Sequence, residues 1–151
     1  MGYSKVFCFK GGIPEWRSFN YPLTVNENYT AIKINKLSPK QVYALLKSDP
    51  GIFVLDVRPI DCNRESIFIK GAKICPMVYL DGWYHNIPKD AKIVVTDWTN
   101  KKAILAAKFL SSKGYHILCV LKGGIVRWHA EKLPVEHVNN SITHDPSLCA
   151  D

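Results

Sequence analysis

One carboxylate stands where a strand pattern runs into a helix pattern. "AKIVVTD" (91–97) is followed by "WTN" and then by "KKAILAAKFLSSKG" (101–114). The first N–H groups of a helix have no partner within it, and a loop that aims several of them at one point favours negative charge there. Two chemistries fit Asp97 at such a point. Its carboxylate can accept the loop's own N–H groups and act as an N-cap or brace. Alternatively, it can be an aspartyl nucleophile. The second needs a magnesium site, and the sequence offers no acidic cluster to build one. The brace is therefore the reading adopted. Lys101 and Lys102 either form a small-anion site with the helix start or are the solvated first turn of the helix. Asp56 and Arg58 end another apolar run and, read alone, are surface charge at a strand end. Cys62 follows in the next loop. No base or orienting group can be named beside it, so it reads as a free thiol.

These groups need elements to hold them. "GIFVLDV" (51–57), "AKICP" (72–76), "AKIVVTD" and "HILCVL" (116–121) are apolar runs of strand length. Such runs belong to strands buried on both faces, as in parallel sheets. Helix patterns alternate with them. "LSPKQVYALLKSD" (37–49) opens with Ser38 as cap, Pro39 at the first position and Gln41 to complete a capping box. The segment 101–114 ends at Gly114, and "GIVRWHAEKL" (124–133) ends before Pro134. Alternation of this kind predicts an α/β domain, a central parallel sheet with helices on both faces. Ligands of such sheets bind beyond the C-terminal ends of the strands. That directs attention to 56–58, 97–102 and 122–124.

Composition narrows the function classes. Of 151 residues, 47% are hydrophobic and 22% charged, which suits one folded domain. The net charge of +7 comes from scattered lysines, so nucleic-acid binding is not expected. No apolar stretch is long enough to span a membrane. Cys8, Cys62, Cys75, Cys119 and Cys149 show no CxxC spacing, and the histidines show no ligand spacing. No metal or cofactor is expected. Cys8, Cys75 and Cys119 lie in apolar runs and read as core residues, in a reducing, cytoplasmic setting.

The order of motifs resembles the rhodanese-like (thiosulfate sulfurtransferase) family over residues 32–135. "VLDVRP" (54–59) is similar to its first signature. "FIKGAKICP" (68–76) follows, with Ile69, Gly71, Ala72 and Pro76 fitting and Phe68 and Lys70 departing. "GYHILCVLKGGIVRWHAEKLPVE" (114–136) is similar to the terminal signature. The resemblance implies a sulfurtransferase whose active-loop cysteine carries sulfane sulfur as a persulfide. It also implies that Asp56 and Arg58 hold the neighbouring loop by an ion pair. At the cysteine's position this chain has Asp97, and the loop reads Asp97, Trp98, Thr99, Asn100, Lys101, Lys102. A carboxylate cannot form a persulfide and repels anionic donors. The expectation is a non-catalytic structural, regulatory or anion- or protein-binding module. The alternative is a sulfurtransferase whose reactive cysteine lies in a missing first domain or is Cys62.

The chain also repeats itself. "FKGGIPEW" (9–16) and "LKGGIVRW" (121–128) lie 112 positions apart. Aligned without a gap, residues 2–22 and 114–134 share Gly2, Tyr3, Lys10, Gly11, Gly12, Ile13, Trp16 and Pro22. The expected layout has four parts. Residues 1–22 are a remnant of a preceding rhodanese domain, with "SKVFCF" (4–9) its last strand and "IPEW" the start of its last helix. Residues 23–31 are a linker, 32–136 a rhodanese-like domain and 137–151 a polar tail. The apolar residues of the remnant are expected to pack on the complete domain or on a second copy of the chain.

Overall fold

The computed structural model of the chain describes residues 4–59 and 66–138. The sheet forms where the apolar runs predict it. Its strands are β1 (Lys36–Leu37), β2 (Phe53–Asp56), β4 (Lys73–Ile74), β5 (Lys92–Thr96) and β6 (His116–Leu121). They lie in the order β1-β6-β5-β2-β4, with every pairing parallel. Successive side chains of a strand point to opposite faces, and here both faces are covered. Leu55, Ile93, Val95 and Val120 pack against Ala103, Ala106, Ala107 and Leu110 of α5 (Lys101–Ser112). Val54, Val94, Cys119 and Leu121 pack on the other side with Val42 of α3 (Pro39–Ser48) and Ile125 and Trp128 of α6 (Gly124–Ala130). Double coverage explains why the strand runs are continuous rather than alternating.

Local signals set the helix ends. Gln41 Oε1 accepts hydrogen bonds from the Ser38 backbone N–H and from its hydroxyl, both at 2.9 Å, which fixes the start of α3. After α5 the chain reverses at Gly114, whose φ of +83° suits glycine. Tyr115 then anchors the turn. Its hydroxyl donates to the Tyr84 carbonyl at 2.9 Å beneath the first apolar layer. Between β5 and β6 the register shifts after the Ile93–Ile117 pair, because Val94 aligns with Cys119 and Leu118 is left over.

Several elements lack a local signal and were not expected. β1 is an edge strand of two residues. β3 (Ser66–Ile69) and β7 (Val135–Val138) form a separate antiparallel pair. His137 and Val138, expected in the tail, belong to this pair. The rest of the tail, 139–151, lies outside the described residues, as does Cys149. Short helical turns at Met77–Tyr79 and Tyr84–Asn86 flank α4 (Leu80–Trp83). The expected linker contains a one-turn helix, α2 (Glu27–Ala31), capped by the Asn26 side chain.

The N-terminal segment departs most from expectation. "SKVFCF" forms no strand, and its side chains are exposed, Cys8 included. An apolar run becomes a strand only where a sheet edge accepts it, and no edge does so here. α1 (Gly12–Ser18) does form, but it buries no residue. Its contacts are its own: Trp16 meets Phe9 and Tyr21 edge-on, at 5.5 and 4.9 Å between ring centroids. Residues 4–18 thus bury no residue against the complete domain. Removing residues 1–22 is expected to leave the domain's urea stability unchanged within about 0.5 kcal/mol, the scatter of surface changes. A larger loss in chemical unfolding would contradict this.

Candidate functional site

The C-terminal ends of β2, β5 and β6 bring three segments together. The loop after β5 is the centre. Asp97 is 3% exposed, and its carboxylate is surrounded by N–H groups. One oxygen accepts from Asn100 N. The other accepts from Lys102 N at 2.7 Å and Ala103 N at 3.1 Å. Asn100 turns the loop with φ +90°, a left-handed conformation that asparagine tolerates better than most residues. Two N–H groups of the first turn of α5 and one of the residue before it are therefore engaged by the chain's own carboxylate. This is the brace geometry expected for Asp97, and charge-assisted bonds of this kind are the strong ones. Trp98 and the lysines Lys101 and Lys102 face solvent.

The β6 side closes on the same loop through the glycine pair. The first N–H groups of α6 donate to the loop: Ile125 N to the Asp97 carbonyl at 2.8 Å, and Val126 N to the Trp98 carbonyl at 3.4 Å. Such an approach leaves no room at Gly124. A Cβ there would lie 2.4 Å from the Asp97 carbonyl oxygen and 2.3 Å from that of Trp98, and φ is +59°. The glycine signature is thus a packing requirement of the loop.

The β2 side is held by an ion pair. Arg58 Nη2 lies 2.8 Å from Asp56 Oδ2, and Nε reaches both carboxylate oxygens at 2.9 and 3.0 Å. Asp56 also accepts the Arg58 backbone N–H, and Arg58 Nη2 donates to the Ile67 carbonyl at 2.7 Å. The guanidinium carbon lies 4.7 Å from the Phe68 ring centroid and 4.5 Å from that of Trp98. Both residues of the pair are buried. Burial pushes the Asp56 carboxyl above its usual range, the Arg58 bonds oppose this, and the nearby Asp97 charge adds to the rise. The pair is therefore an internal tie between the loops after β2 and β5 and strand β3 rather than surface charge.

Some expected residues stay outside this cluster. Cys62 lies outside the described residues. Cys75 and Cys119 are buried, and burial pushes both thiols up to about 11, so at neutral pH they are un-ionised and poor nucleophiles. Among the described residues, no group of three or more His, Cys, Asp or Glu is placed to hold a metal ion. Nor is any helix there long and apolar enough to cross a membrane. Sequence reasoning missed the part played by Phe68. It appears in the sequence only as a departure from a motif, whereas in space it covers one side of Arg58.

The model of the Rhodanese-like domain family matches residues 38–131, which take in β2, β4, β5 and β6 of the sheet, the loop and the glycine pair. The chain belongs to the rhodanese-like family. Solved structures agree. A rhodanese-related protein from Thermoplasma volcanium is 27% identical, with a TM-score of 0.59, over 68% of this chain and 97% of that one. A full-length protein from Lactobacillus plantarum is 25% identical, with a TM-score of 0.58, over 86% and 100%. The rhodanese-like domain of an Anabaena protein is 25% identical, with a TM-score of 0.59, over 74% and 85%. No curated protein matches the chain.

Two substitutions test the local geometry. Asp97→Ala is expected to cost about 0.5–2 kcal/mol, the range for a lost cap, and Asp97→Asn less, because an amide oxygen still accepts. Equal urea stability of all three proteins would contradict the brace. Gly124→Ala is expected to cost more, about 2–4 kcal/mol, since it combines a left-handed backbone with overpacking against two carbonyls. A midpoint matching the parent would mean that α6 does not seat on the loop as described.

Proposed function

We propose that this chain is a non-catalytic rhodanese-like module whose anion cradle is filled by its own Asp97 carboxylate. The observation that carries this reading is the set of three N–H groups, from Asn100, Lys102 and Ala103, converging on that carboxylate. In a sulfurtransferase of this family the same donors would face a cysteine persulfide. Here the position has no thiol to take sulfur, and the three N–H groups of Asn100, Lys102 and Ala103 are engaged by the carboxylate. Exposed Lys101 and Lys102 lend only weak support to a small-anion site, because the Lys102 and Ala103 N–H groups beside them are engaged by Asp97. The module then serves as structural or regulatory support for a second rhodanese-like unit in a tandem arrangement. The repeat at residues 2–22 supports that pairing. The free thiols at Cys8, Cys75 and Cys119 fit a reducing, cytoplasmic setting.

The test is sulfur transfer. With thiosulfate and cyanide, the chain should release no thiocyanate above a buffer control and gain no sulfur mass at residue 97. Turnover that persists in Cys62→Ser would overturn this reading of the loop. Turnover abolished by that substitution would make the chain a sulfurtransferase acting through Cys62.

A further inference from the structure

Residues 12–22 repeat the fold of residues 124–134 as well as the sequence. α1 and α6 have the same seven-residue span at an offset of 112, and each opens on a glycine with φ +59°. Each is followed by a left-handed residue, Asn20 at φ +55° and Lys132 at φ +54°. Tyr21 N donates to the Trp16 carbonyl and Leu133 N to that of Trp128, both at 3.3 Å. The indole N–H of Trp16 donates to the Pro22 carbonyl at 3.0 Å, and that of Trp128 to Pro134 at 2.9 Å.

The surroundings are opposite. Ile125 and Leu121 are fully buried, whereas their counterparts Ile13 and Phe9 are 56% and 46% exposed. What covers this face in the complete copy is known. Ile125 and Trp128 lie on Val54 and Val94 of the sheet, and the Trp128 ring meets Tyr43 of α3 edge-on at 6.0 Å. β6, just before them, is held between β1 and β5. The N-terminal copy has the matching helix and turn but no sheet. Accordingly its strand portion is irregular, and Gly11 has φ −81° where Gly123 has +82°. The chain's own seat of this shape is filled by residues 116–134, and a second copy of the chain has the same seat filled. Neither can accept the segment without ejecting its own.

We propose that residues 4–22 are a closing strand and helix whose partner is a rhodanese-like unit lacking its own last strand and helix. Ile13 and Trp16 would enter its apolar layer, and residues 4–9 would add the strand between its counterparts of β1 and β5. This rests on the paired-module reading above and names the contact that joins the two units. It is independent of whether the Asp97 loop is inactive.

The direct experiment replaces residues 114–134 of the full chain by residues 2–22. The expected result is a cooperative urea transition close to that of the parent. The same replacement carrying Ile13→Ser and Trp16→Ser should lose cooperative unfolding. If both chimeras fold alike, the apolar face is not what seats the segment, and the proposal falls. If the first chimera does not fold, amide exchange decides. The unmodified chain is titrated with a probe polypeptide of residues 23–113, a sheet without its closing unit. Gained protection of the 12–22 amides upholds the proposal, and unchanged exchange overturns it. A failure here with no thiosulfate turnover would remove the pairing and leave the inactive loop standing.

Discussion

A buried carboxylate that accepts three backbone N–H groups organises the C-terminal end of this sheet. Loop donors at a helix start must be satisfied by something, because a buried unpaired N–H costs about as much as a lost hydrogen bond. The chain supplies the acceptor itself. Asp97 thereby sets the course of the loop, and the loop's two outward carbonyls then receive the first N–H groups of α6. Gly124 is demanded by that closeness, and the sheet order β6-β5-β2 brings the partners within reach.

The Asp56–Arg58 pair extends the same logic to the neighbouring strand. A buried ion pair is a poor source of net stability by itself, since desolvation offsets the attraction. Its value here is positional. Asp56 fixes the guanidinium, which in turn reaches the Ile67 carbonyl and contacts Phe68 and Trp98. One arginine thus ties the loops after β2 and β5 to β3. Side chains around the loop are thus held by bonds within the chain.

Much of this was legible in the sequence because the signals are local. Ser38 and Gln41 announce a helix start within four residues, and the continuous runs of β2, β5 and β6 announce strands covered on both sides. The role of Asp97 could be read from its place between a strand and a helix. Other features rest on non-local partners and leave no local trace. β3 and β7 pair residues far apart in the chain, as at Phe68 and Glu136. The surroundings of Arg58 are built by rings from two different elements. "SKVFCF" shows the converse error. Its pattern is that of a strand, but a strand also needs a neighbour, and among the described residues it pairs with none.

The central claim is that the Asn100, Lys102 and Ala103 donors are occupied by Asp97 and closed to outside anions. Amide resonances of residues 98–103, followed by ¹H–¹⁵N NMR during titration with thiosulfate at constant ionic strength, test it most directly. The account predicts no saturable shift at Asn100, Lys102 or Ala103. Saturable movement of these three amides together would contradict it, because an external anion could then displace the carboxylate from its donors.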